Sequence, residues 1–376
     1  MRGMPKRKLD WPSEVLARFV LGFEGTRVTD ELASLLEAGL GGVAVFARNY
    51  RSVDELRALT AEIRGAAPMP VLIGMDQEGG KQFALTPPFT IWPSAAALGR
   101  IGDAALVEQI AGAMGRELRA AGANLDFAPM LDLHIQPESP ITHERSFGAD
   151  PKLVATMGRA FARGLHVGGV LACAKHFPGH GDTRTDPHLD LPMFSGTFER
   201  LEAAELIPFA AATADSVPLI MTAHILLPQV DAARPASLSR RILTGLLREQ
   251  MGFQGMIIAD DLGMGAIAKT FGAGQAAVET FAAGADLAML CHDESAIAPA
   301  IDAVARALEA GRFDADEWNA NRARIERLRD AAELGVDESA APNARSAADA
   351  RDEIIGCDAH RELSEIAFRR ANEARD

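Results

Sequence analysis

The sequence predicts an α/β fold of the TIM type, a (β/α)8 barrel, on three observations. Eight short apolar runs rich in β-branched residues recur before position 292. Longer helical patterns with recognisable ends separate them, and polar residues gather where the runs end. Runs that are apolar almost throughout suit parallel strands buried on both faces, and a strand–helix order repeated about eight times closes most naturally into a barrel. Alternation of this kind would also suit an open doubly wound sheet. No G-x-G-x-x-G stands at the first turn, however, so a dinucleotide site has no support.

In chain order, strands are expected at 19–23, 42–46, 71–76, 124–130, 170–176, 218–225, 256–260 and 286–291. The segment 84–97 reads as irregular. Asp103 is placed to cap a helix whose Leu106, Val107, Ile110, Met114 and Leu118 form one apolar stripe, with Gly122 just past its end. Asp150 followed by Pro151 is a cap with proline at the first helical position. Ser239 and Gly252 bracket another helix. After the last strand come helical stretches near 294–310 and 315–333, then a linker-like stretch at 336–351 rich in Ala, Ser, Asp and Asn. A charged helix near 352–374 ends the chain and reads as a docked or solvated surface helix. The division is thus a barrel over 1–335 and a linker with a C-terminal helix over 336–376.

Composition narrows the class. Hydrophobic residues make up 48% and charged residues 24%, enough apolar surface for a sizeable core. A formal charge of −14 argues against nucleic acid or an anionic membrane as the partner, because both need a basic surface. Three cysteines without short spacings fit neither a disulfide framework nor a zinc ribbon, and point to a reducing compartment. The basic start MRGMPKRKLDWPSE is followed by no apolar core of a signal peptide, and no window approaches 18 uninterrupted apolar residues. A cytoplasmic location is expected.

Chemistry-bearing residues gather in four segments: Asp76-Gln77-Glu78-Gly79-Gly80, the loop around His143-Glu144-Arg145-Ser146-Phe147, the stretch from Lys175 to Leu191, and Asp260-Asp261-Leu262. The third is the densest, with Lys175, His176, His180, Asp182, Asp186, His188 and Asp190 in one strand end and one loop. Its prolines and glycines fix or permit unusual backbone angles, and its polarity suggests a lid carrying chemistry. Asp186 two residues before His188 can bond one imidazole nitrogen and leave the other for a substrate, the arrangement a proton shuttle needs. Metal binding is the rival reading for His176, His180, Asp182 and His188, but their spacings match no H-E-x-x-H or H-x-H signature, and neither metal nor cofactor is expected. Asp260 ends the apolar run GMIIAD, where a carboxylate is costly unless solvated, paired or working. Asp261 is the expected helix cap before 262–267, and Asp260 the chemical group.

Taken together, VLGFEGT, GGVAVFARN, DQEGG, LDFAPMLDL, ERSFGADP, KHFPGHGDT with its following D-x-H, and IIADDLGM resemble family 3 of the glycoside hydrolases in its β-N-acetylglucosaminidase branch. The resemblance runs from about Phe19 to Leu334. It implies a retaining hydrolase with Asp260 as nucleophile, His188 as acid/base and Asp186 as its partner, acting on a small carbohydrate, most naturally a cell-wall-derived fragment. The same resemblance implies that Asp76, Arg145, Lys175 and His176 hold the terminal N-acetylglucosamine. His224, in MTAHI at another strand end, is a further lining residue. The family's β-glucosidases take their acid/base from a second domain, which this chain is not expected to have, although CDAHRELSEIAFRRA resembles the helix that often precedes it. One departure stands out: the family continues DQEGG with R-V-Q-R, whose second arginine touches the sugar, whereas this chain has Lys81-Gln82-Phe83-Ala84. Pro187 stands where the family commonly has serine. Two other readings of the same site are phosphate in place of water as acceptor, and a sugar-binding barrel without catalysis.

Overall fold

The computed structural model describes residues 11–83, 85, 87–183, 185, 187, 190–334 and 353–374. Ala84, Asp186, His188 and the stretch 336–351 lie outside the described residues. Eight parallel strands close into a barrel in sequential order: β1 (Phe19–Leu21), β2 (Gly42–Ala44), β3 (Leu72–Met75), β4 (Leu125–Asp126), β5 (Leu171–Phe177), β6 (Leu219–Thr222), β7 (Met256–Ala259) and β8 (Leu287–Leu290), which returns to β1. The closing register pairs Phe19 with Ala288 and Leu21 with Leu290. All eight expected strands are present. The expected fourth strand is the one most shortened: only Leu125 and Asp126 join the ladder, and Met130 makes a single isolated bridge to Lys175. Two hairpins, Gln77–Gly79 with Gln82–Phe83 and Leu226–Leu227 with Asp231–Pro235, sit outside the barrel and were not expected.

Strand periodicity divides each strand between two cores. Val20, Ala44, Leu72, Leu125, Phe127, Cys173, Met221, Ile258 and Met289 fill the barrel, whereas Phe19, Leu21, Val43, Ile73 and Ile257 face the helices. Gly74 belongs to this packing: a Cβ there would lie 2.5 Å from Phe127 Cζ, so the ring occupies the space a side chain would need. The helix Ala315–Leu334 closes the barrel floor, because its Ile325, Leu328 and Ala332 pack into the interior cluster. Charged groups fasten it. Buried Arg18 donates to the Trp318 carbonyl at 2.8 Å with its guanidinium 3.4 Å from the indole centroid, and Arg324 Nε donates to Asp286 at 2.9 Å. Arg248 shares the same aspartate.

Helix ends follow the sequence signals in most places. Asp103 accepts from Leu106 N and Asp150 from Lys152 N, each satisfying a first-turn amide. The helix between Ser239 and Gly252 is present as Arg241–Gln250, with π-type bonding. Asp261 is a correction. The helix after it begins only at Gly265, with Met264 at its cap position and no capping side chain. The Asp261 carboxylate instead accepts from Gly263 N at 2.9 Å and from Cys291 N at 3.1 Å, tying β7 to β8.

The C-terminal helix spans Asp358–Glu373 and docks on the outer helices Ala95–Ile101 and Ala104–Ala120. Fully buried Glu117 organises the contact. It accepts from Thr90 N and Oγ1, from Gly356 N and from His360 Nδ1 at 2.6–3.0 Å. Ser364 donates to the Ile91 carbonyl at 2.5 Å, and Arg370 pairs with Asp103 at 2.7 Å. Among the described residues, no helix is long and apolar enough to cross a membrane.

Candidate active site

The C-terminal ends of the barrel strands carry the polar cluster, as barrel geometry requires. Lys175, near the end of β5, is almost wholly buried, so its ammonium must be paired. It contacts Asp76 Oδ1 at 2.6 Å, just past β3, and Glu78 Oε1 at 2.7 Å. Glu78 in turn receives a bidentate pair from Arg145, with Nε at 2.8 Å and Nη2 at 2.7 Å. Burial would raise the Glu78 carboxyl, but Arg145 and Lys175 outweigh it and hold the group below the ordinary carboxylate range. The two cations gain correspondingly: burial opposes their charge, and the carboxylates around them raise both above their usual values. Asp76 keeps a third of its side chain exposed, so this partly open acid is the member of the cradle that faces solvent.

A second buried carboxylate serves the histidines. Asp132 Oδ2 accepts from His176 N at 3.2 Å and Nδ1 at 2.7 Å, and its Oδ1 accepts from His180 N at 2.6 Å. Burial pushes Asp132 up, but His176 outweighs it and the carboxyl lies below its ordinary value. The Thr183 hydroxyl donates to the His180 carbonyl at 2.9 Å and therefore accepts from His180 Nδ1 at 3.0 Å. Burial lowers His180 to about 4, so it is neutral at pH 7. The His176 and His180 rings meet edge to face with centroids 5.6 Å apart.

Asp260 follows β7, its Oδ1 accepting from Asp261 N at 2.8 Å. Burial would raise this carboxyl, but the adjacent His176 and His224, the Asp261 amide and Lys175 pull it below the ordinary value, so it is ionised at neutral pH. His224 is buried and uses both ring nitrogens within the protein. Nε2 donates to the Asp261 carbonyl at 3.0 Å, so Nδ1 accepts from the Ser237 hydroxyl at 2.7 Å. This imidazole is lowered by burial and props the Asp260–Asp261 turn from beneath.

Of the eight site residues expected from the sequence, six lie among the described residues and come together. Asp76, Arg145, Lys175, His176, His224 and Asp260 come from four strand ends and one loop into one mouth. Asp186 and His188 lie outside the described residues, but Pro187 between them is described. Its carbonyl accepts from Ala266 N at 3.0 Å, in the helix that follows Asp260 and Asp261. Asp261, Glu78 and Asp132 are the supports that sequence reasoning passed over as site groups. A carboxylate following an apolar strand run, within a motif that also holds Lys or His elsewhere in the chain, is the signal that marks them. No group of three or more metal-ligating side chains able to hold an ion occurs among the described residues. His180 Nδ1 is bonded to Thr183 at 3.0 Å, and Asp182 Oδ1 accepts from Gln136 Nε2 at 2.5 Å.

Residues 20–328 match the Glycosyl hydrolase family 3 N terminal domain. A curated beta-hexosaminidase of Neisseria meningitidis serogroup C is 38% identical over 270 residues, covering 70% of this chain and 74% of that protein. A solved glycoside hydrolase family 3 beta-N-acetylglucosaminidase from Paenibacillus sp. superposes with a TM-score of 0.88 at 36% identity, over 96% of this chain and 69% of that one. The NagZ protein of Neisseria gonorrhoeae, solved with N-trifluoroacetyl-D-glucosamine, gives a TM-score of 0.68 at 32% identity, over 83% and 98% of the two chains.

Proposed function

The chain belongs to glycoside hydrolase family 3 and is a glycoside hydrolase, and from that premise we propose that it removes terminal β-linked N-acetylglucosamine with retention of configuration. The observation that carries this reading is an ionised Asp260 at the mouth beside a cradle of Asp76, Lys175, Arg145 and His176. Sugar hydroxyls are donors and acceptors at once, and charged groups held rigidly by their own buried counter-ions bind them without reorganising. The related proteins named for β-hexosaminidase activity support N-acetylglucosamine as the sugar. Soluble fragments of the cell wall are the substrate class we assign.

In the first step an Asp260 oxygen attacks the anomeric carbon while the glycosidic bond breaks. The leaving oxygen takes that electron pair and a proton from His188, whose partner is Asp186. In the second step neutral His188 takes a proton from water, the water oxygen bonds to the anomeric carbon, and the pair in the Asp260 ester returns to the carboxylate. A carboxylate–histidine pair thus takes the place of the second carboxylate of most retaining glycosidases. The test is a 5-fluoro glycosyl fluoride of N-acetylglucosamine followed by peptide mass analysis. A single adduct on the peptide holding Asp260, absent in Asp260→Ala, is expected; turnover without any adduct and with inverted product would sink the reading.

A further inference from the structure

Resting on the reading above, we infer that the imidazole of His292, backed by Phe46, forms a subsite for the sugar on the leaving-group side of the scissile bond. His292 follows β8 and Phe46 lies just past β2, so both stand at the mouth end of the barrel. Phe46 packs against the cluster that fills the barrel interior, which places its ring over the barrel and not among the outer helices. The His292 and Phe46 ring centroids are 5.2 Å apart, and the Arg48 guanidinium lies 4.5 Å from the Phe46 centroid. The two rings meet at 47°, and the outer one is an imidazole with 58% of its side chain exposed.

Although exposed, this histidine is tethered. Its Nδ1 donates to Asp261 Oδ2 at 2.8 Å, and Asp261 is itself fixed by two backbone amides. Those amides satisfy Asp261 Oδ1 without the imidazole, so the pair is not required to hold the turn. Nε2 has no hydrogen bond among the described residues. A sugar hydroxyl both donates and accepts, and so suits Nε2 whether or not it carries a proton. The Asp261 bond raises the proton affinity of the ring, which favours the donor form.

The groups assigned to the terminal sugar come from β3, β5 and β7, together with the loop that carries Arg145. In an eight-stranded barrel β1 stands opposite β5, so the β8–β2 rim faces the Lys175–His176 wall across the mouth. That rim carries none of the cradle residues, yet it adjoins the nucleophile through Asp261. An ordered ring edged with polar atoms is what a saccharide face stacks upon.

The experiment compares kcat/KM for a β-linked disaccharide of N-acetylglucosamine with that for N-acetyl-β-glucosaminyl fluoride, whose leaving group has no ring. In His292→Ala the disaccharide-to-fluoride ratio should fall about tenfold. His292→Phe, which keeps the plane and loses the nitrogen, should fall less. A ratio within about twofold of wild type in His292→Ala overturns the subsite. Loss of fluoride turnover in both variants also overturns it, since the effect would then lie on the terminal sugar. Failure of the wild-type protein on the fluoride would instead reject the glycosidase reading itself.

Discussion

Asp132 holds His176 twice, accepting from its backbone N–H at 3.2 Å and from its Nδ1 at 2.7 Å through the same oxygen. The carboxylate fixes the proton on Nδ1, so Nε2 is the ring nitrogen left to accept a hydrogen bond. In Asp132→Asn an amide NH2 can face Nδ1 and reverse the tautomer. A fall in kcat/KM of about 10–100-fold is expected, carried mostly by KM, the size seen when a carboxylate that orients a metal-bound histidine is lost. Steady-state kinetics, with histidine 15N spectra reporting the tautomer, checks it; an unchanged tautomer with unchanged KM would refute the role.

Glu78 is the shared counter-ion of Lys175 and Arg145. Glu78→Gln keeps the shape and removes the charge, leaving two buried cations with less than they need. Breaking one partner of a buried ionic group costs about 3–5 kcal/mol. Denaturant unfolding should show a loss of that order, and a midpoint unchanged from wild type would contradict the account.

Acid should reveal the same two carboxylates. Glu78 and Asp132 both lie below their ordinary values in the folded state. A depressed carboxylate contributes stability that is complete above its unfolded value, about 4, and is lost as pH falls through the folded value. The thermal midpoint should therefore drop on acidification below about pH 4, and less steeply in Glu78→Gln. Asp260 is depressed as well, so the acid limb of kcat/KM should not reflect its protonation above the ordinary aspartate range.

Glu117 gathers four hydrogen bonds at the docking site of the C-terminal helix. Glu117→Ala strips acceptors from buried donors and should cost about 2–4 kcal/mol. Proteolysis should then release the C-terminal segment faster than in wild type. Equal cleavage rates would show that Glu117 does not hold the helix.

Much of this arrangement was legible in the sequence. The strands read clearly because parallel barrel strands are buried on both faces and leave near-continuous apolar runs. The fourth was overextended because an apolar run does not show where the ladder ends, and Pro129 has no N–H to offer it. Lys175, His176 and Asp260 were legible as chemistry placed at strand ends. Glu78 and Asp132 were not, because a buried carboxylate is explained only by partners that the fold brings from elsewhere: Arg145 and Lys175 for one, His176 and His180 for the other. Asp261 was misread as a cap because the amide of Cys291, remote in sequence, claims the same oxygen that bonds Gly263.

The filled barrel makes the proposed site a cul-de-sac. With strand side chains packing its interior and Ile325, Leu328 and Ala332 beneath them, the far end offers no passage among the described residues, and substrate and products share the mouth at the strand ends. For the proposed reaction this imposes a queue. The severed fragment has to clear the entrance before water can reach the ester, and the monosaccharide, seated deepest, is the last to depart. A chain end fits such a dead end and a chain middle does not, and accumulated monosaccharide should compete with fresh substrate for the innermost seat.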